Sequence, residues 1–216
     1  MIVTGSVNGR GVRNGATLLG DARRERDRLE AEVWARALFG TADEWVVIDT
    51  ETTGLDPGAE AVQIAVLSLA GETLMDTLVR PSGPIPWGAS RVHGITDADV
   101  AGAPTYAELH DELARVLSRR GVVAYNAAFD ERILQQTAAR HGLRPPQSRW
   151  ECAMRQYARW RNEWDERKQD YRWHKLPLLA APGVRAHSAV GDCRSTLHVL
   201  RRMAGLEDLG ASALEN

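Results

Sequence analysis

The sequence predicts a mixed α/β fold in which three strands precede the interior helices. Three observations carry this. The apolar run Trp45-Val46-Val47-Ile48 leads directly into acids and reads as a buried central strand. Two further strand candidates, 61–69 and 73–79, are joined by Ala70-Gly71-Glu72, which is short enough for a hairpin. Beyond residue 105, amphipathic helical stretches alternate with a short strand, the order expected when helices cover a sheet.

Taken in order, residues 1–20 are rich in Gly, Asn, Thr and Val without periodicity and read as a flexible leader. Asp21 is placed to cap a helical extension over 21–40, with Leu29, Val33, Trp34 and Ala37 along one stripe and Gly40 as its stop. The main domain is expected over 41–207, with a tail at 208–216. Its first strand ends in the turn chemistry of Thr52-Thr53-Gly54-Leu55-Asp56-Pro57-Gly58. Residues 81–104 carry four prolines and read as irregular. A helix over 106–119, a strand over 122–125 and a helix over 127–140 follow, the last stopped by Gly142 and Pro145-Pro146. Trp150, Met154, Tyr157, Trp160 and Trp164 recur at helical spacing and predict a helix from 150 to about 168. A short piece at 176–180 is broken by Pro182-Gly183, and a last amphipathic helix runs over 189–203.

Composition narrows the function classes. With 216 residues and a net charge of −2, the chain is not a globally basic nucleic-acid coat, although a local basic patch is compatible. Two cysteines, Cys152 and Cys193, in no Cys-x-x-Cys spacing support neither a disulfide scaffold nor a zinc knuckle. No apolar run approaches the ~18 residues of a membrane span, and residues 1–20 lack the pattern of a signal peptide. A cytoplasmic protein without membrane partners is expected.

The chemistry is read from acids. Asp49 and Glu51 alternate at the end of a strand, so both side chains project from one face at the sheet edge. Like charges so placed raise each other's pKa unless a cation binds between them; alternatively the strand has ended and both are solvated turn residues. Asp130 and Asp192 each fall in the first turn of an expected helix, where a carboxylate also stabilises the helix dipole. Ser188 is a candidate N-cap for the last helix, and His187 falls in the loop before it, as a base or as a solvated residue. Four carboxylates and an imidazole are what metal-assisted hydrolysis of a phosphate ester uses: hard Mg²⁺ or Mn²⁺ ions take the carboxylate oxygens, and histidine takes the proton of the attacking water.

Three segments, VVIDTETTGL (46–55), AYNAAFD (124–130) and HSAVGD (187–192), resemble the three motifs of the DEDDh 3′→5′ exonucleases, which include the proofreading subunit of bacterial replicative polymerases and ribonuclease T. Arg91-Val92-His93-Gly94-Ile95-Thr96 is similar to that family's V-H-G-I-T loop, and His174 to Ala180 to the piece preceding its third motif. The resemblance implies a ribonuclease H-like fold, a five-stranded mixed sheet with strand 2 antiparallel. It implies Asp49, Glu51, Asp130 and Asp192 as catalytic ligands of two divalent metal ions (Mg²⁺ or Mn²⁺), and His187 as general base. Ser188 stands where a tyrosine-bearing sister class has Tyr. Thr52, Gly54 and Leu55 are implied to border the 3′-terminal nucleotide, with Val92, His93 and Phe129 near its base or sugar. For His93 a loop-packing role competes with substrate contact, and Phe129 reads as partly core. The Trp- and Arg-rich stretch 150–175 is either a base-stacking surface or a core stripe with a basic face. The implied activity is release of nucleoside 5′-monophosphates from nucleic-acid 3′ ends, single-stranded DNA first and RNA second. The alternative is a nucleic-acid- or polymerase-binding module working inside a complex, and a homodimer is compatible with either reading.

Overall fold

A computed structural model describes residues 15–176 and 187–206. Five strands make the main sheet: β1 (Trp45–Thr52), β2 (Ala61–Ser68), β3 (Thr73–Leu78), β4 (Gly121–Ala124) and β5 (Trp150–Cys152). Their order is β3-β2-β1-β4-β5. β2 is antiparallel to both its neighbours, whereas β1, β4 and β5 are parallel. This is the mixed sheet with an antiparallel second strand that the sequence led us to expect.

The alternation of β1 divides the core in two. Trp45 and Val47 pack with α1 (Gly15–Gly40), α6 (Ala153–Arg161) and α7 (Ala189–Ala204), whereas Val46 and Ile48 pack with α4 (Tyr106–Leu117) and α5 (Ala127–Arg140). Trp45 pairs with Gly121 across the β1–β4 ladder. A Cβ on Gly121 would lie 2.4 Å from the Trp45 ring, so that position admits no side chain.

Several elements differ from their sequence reading. α1 begins at Gly15, six residues before the expected start. Asp21 is not its cap; it pairs with Arg24 one turn on. The buried face of α1 is Ala31, Ala35 and Leu38, while the expected stripe of Leu29, Val33 and Ala37 faces solvent. The reason is polar as well as apolar. Arg159 donates to Asp27 and Glu30, Trp160 Nε1 donates to Glu32, and the Tyr171 hydroxyl donates to Asp27, which turns this side of the helix inward. Small Ala31 and Ala35 then allow close approach to α6 and α7.

The single helix expected over 150–168 is three elements. Residues 150–152 pair with β4 as the fifth strand, α6 covers 153–161, and Asn162 ends it in the left-handed region at φ 55°. A small hairpin of β6 (Trp164–Asp165) and β7 (Asp170–Tyr171) follows. Only 153–161 expresses the helical spacing, because an open sheet edge claims the residues before it. Residues 81–104 hold two short helices, α2 (Trp87–His93) and α3 (Asp97–Val100). The leader over 1–14, the rest of the short piece with its Pro182-Gly183 break, the domain end at 207 and the tail at 208–216 lie outside the described residues.

Candidate active site

Odd-numbered residues of β1 face the α7 layer, so Asp49 and Glu51 project toward the first turn of α7, where Asp192 sits. Ser188 caps that helix, its Oγ accepting from the Gly191 N–H at 3.3 Å. The Ala189 N–H donates to Gln63 Oε1 at 3.2 Å, tying the helix start to β2. One carboxylate oxygen from each of Asp49, Glu51 and Asp192 lies within 4.8 Å of the other two. At the mouth of this cluster, the β1–β2 register slips between Glu51 and Thr52, a bulge that ends regular pairing where the acids emerge.

Asp130 reaches the same end of the sheet from the opposite layer. β1 pairs with β4 only through Val47, and beyond that point the Thr50 N–H has no strand partner on the β4 side. Asp130 Oδ1 takes its place, accepting from the Thr50 N–H at 3.1 Å and from Thr50 Oγ1 at 2.9 Å. Asp130 is buried to 3% exposure and belongs to the field of the cluster, though not to the group of three.

The electrostatics follow from this crowding. Burial, and then repulsion from Asp130, Asp192 and Glu51, holds the Asp49 carboxyl well above the usual range. Burial and the charges of Asp192 and Asp130 push Glu51 up to about 7. Burial pushes Asp130 up to about 7 against the pull of the Thr50 hydrogen bonds. Burial raises Asp192 too, opposed by the charge of His187 and by a backbone hydrogen bond from it. Asp192 Oδ1 is buried without a hydrogen-bond partner among the described residues. Hard oxygen donors that repel one another, one of them orphaned, fit a divalent cation.

His187 is exposed directly before Ser188, with φ 58°. A backbone hydrogen bond from His187 to Asp192 sets this exposed residue beside the cluster. The expected substrate contacts divide. Leu55 and Val92 are exposed, whereas Phe129 is half-buried against the α4–α5 core with the Arg132 guanidinium over its ring. Thr52 Oγ1 donates to the Gly54 carbonyl at 2.8 Å, closing the turn on itself. Both nitrogens of buried His93 are engaged: Nδ1 accepts from the Ile95 N–H at 3.0 Å, so Nε2–H donates to the Thr52 carbonyl at 3.2 Å. Its geometry is that of a brace between the turn and α2, the loop-packing alternative of the sequence reading. Thr50 and Gln63 were missed there. A threonine between the two acids carries no charge signal, although its even position already directs it toward the α5 layer.

The family model described as Exonuclease matches residues 46–200, from the first strand through the last helix. The chain belongs to the exonuclease family. Within it, the uncharacterized exonuclease CP81 of Escherichia phage 186 is 41% identical over 185 residues, covering 81% of this chain and 95% of that protein. Exodeoxyribonuclease 10 of Escherichia coli is 32% identical over 156 residues, covering 71% of this chain and 66% of that one. Among solved structures, exonuclease X in complex with 5′-overhanging duplex DNA superposes with a TM-score of 0.55 at 28% identity, over 76% of this chain and 93% of that one. The fold is therefore ribonuclease H-like, and this exonuclease carries the DEDDh motifs at the end of its sheet. Among the described residues no helix is long and apolar enough to cross a membrane.

Proposed function

We propose that this exonuclease hydrolyses the terminal phosphodiester at a 3′ end and releases nucleoside 5′-monophosphates, acting on single-stranded DNA first and RNA second. The observation that carries the reading is the convergence of Asp49, Glu51 and Asp192 within 4.8 Å, with Asp130 fixed beside them by Thr50. The names of the relatives support DNA as substrate: one is an exodeoxyribonuclease, and the superposed exonuclease X holds a DNA duplex.

Asp49, Glu51, Asp130 and Asp192 would hold two Mg²⁺ or Mn²⁺ ions, which supply charge neutralisation at the scissile phosphate and acidify an attacking water. The chain's residues do the rest. His187, beside the acids, accepts the water's proton. Thr52, Gly54 and Leu55 would border the terminal sugar, in a turn whose shape is held by the hydrogen bond from Thr52 Oγ1 to the Gly54 carbonyl.

Matched DNA and RNA oligonucleotides, labelled at the 5′ end and digested side by side, test substrate and polarity together. Stepwise shortening of the DNA from its 3′ end, faster than the RNA, is expected. Loss of the 5′ label as a mononucleotide would contradict the polarity, and faster loss of RNA would reverse the order of substrates.

A further inference from the structure

Large apolar side chains left at the surface mark contact sites when they cluster. Among the described residues six such side chains are exposed, and three of them, Leu55, Trp87 and Val92, lie on the two segments that flank the acids. Leu55 is 77%, Trp87 72% and Val92 55% exposed. Trp87 has no part in the site as described so far. The Arg91 guanidinium lies 4.8 Å from its ring centroid, one helical turn on. An open indole with an arginine beside it combines a stacking face with a phosphate-binding cation.

The platform is tied rigidly to the acids. α2 ends at His93, whose Nε2–H holds the Thr52 carbonyl directly after Glu51. At the other end, Pro84 and Pro86 face Thr53, Asp56 and Glu60 across a cavity of about 360 Å³. Six residues of helix set Trp87 about 9 Å along the axis from His93, the length of two to three nucleotides stacked ~3.4 Å apart.

We propose that Trp87 with Arg91 is a stacking platform for the single-stranded nucleic acid that feeds the site, engaging bases two to three positions upstream of the terminal nucleotide. This rests on the 3′-exonuclease reading above and adds a length preference to it: a dinucleotide does not reach the platform, and an octanucleotide does.

The test is the ratio of kcat/KM on an eight-nucleotide oligothymidylate to kcat/KM on the dinucleotide, in wild type, Trp87→Ala, Trp87→Phe and Arg91→Ala. Loss of one base stack is expected to lower this ratio roughly 5- to 100-fold in Trp87→Ala, through KM. Trp87→Phe should retain most of it, and Arg91→Ala should fall between. An unchanged ratio in Trp87→Ala, or equal losses on both substrates, would overturn the platform. If wild type cleaves neither substrate, the exonuclease reading fails on its own. The platform is then judged by fluorescence anisotropy of labelled octanucleotide and dinucleotide in EDTA. Weakened binding of the octanucleotide alone in Trp87→Ala upholds it, and binding equal to wild type refutes it.

Discussion

Thr50 donates twice to one oxygen of Asp130, from its backbone N–H at 3.1 Å and from its hydroxyl at 2.9 Å. A residue of the central strand thus uses the donor that a neighbouring strand leaves unpaired to aim a carboxylate from the opposite helix layer at the acid cluster. Thr50→Val keeps the β-branched shape and the backbone donor but removes the hydroxyl. An activity loss of about 10- to 100-fold is expected, as for other residues that orient a metal ligand. The stability cost should be near that of one buried hydrogen bond, about 1 kcal/mol. Steady-state kinetics and thermal melting separate the two; undiminished activity would show that the backbone donor alone fixes Asp130.

The acids should make the metal-free protein lose stability as pH rises. Glu51 and Asp130 are both pushed up to about 7 in the fold, above their ordinary values of 4.5 and 3.8. For an acid whose folded pKa is the higher, the contribution to stability is complete below the unfolded pKa and is lost as pH climbs through the folded one. In EDTA, the melting temperature should therefore fall between about pH 4 and pH 7. Mn²⁺ should reduce the fall, because the ion favours the charged forms. A melting temperature that rises with pH in EDTA would contradict this.

Asp49→Asn removes the charge at the centre of the repulsion. It is expected to abolish most of the activity while leaving the melting temperature in EDTA at pH 8 equal or higher. A large drop in melting temperature would assign Asp49 a structural role instead.

Gly121→Ala places a methyl group against the Trp45 ring, in a ladder that admits little shift. Overpacking of this kind costs about 1–3 kcal/mol. Thermal unfolding should show that loss, with activity retained below the new melting temperature because the acids lie at the other end of β1.

His187→Ala should lower kcat by about 10²- to 10⁴-fold at neutral pH with little change in metal affinity. Rescue of the variant by excess Mn²⁺ would make His187 a ligand instead.

Much of this architecture is legible in the chain because local signals and burial agree there. The run 45–48 is apolar on both faces, and the structure buries both. The N-cap Ser188 and the helix 127–140 stand where their residue types place them. Asp49, Glu51 and Asp192 are legible as a set, since strand alternation and first-turn position both aim side chains at one edge. What was not legible depends on partners distant in sequence. The buried face of α1 is chosen by Arg159, Trp160 and Tyr171 as much as by its own apolar residues. Trp150 belongs to a strand only because β4 offers it an edge. His93 resembles a substrate contact by motif, and only the fold reveals that Thr52 and Ile95 occupy both its nitrogens.

The acid cluster is expected to remove nucleotides one at a time from a free 3′ terminus with divalent metal. The most direct measurement is digestion of a linear single strand carrying a 3′-terminal radiolabelled nucleotide, beside a closed circle of the same sequence, with Mg²⁺ and with EDTA. Early release of the label as a nucleoside 5′-monophosphate from the linear strand, an intact circle, and no release in EDTA are expected. A cut circle, or undiminished release in excess chelator, would contradict the account.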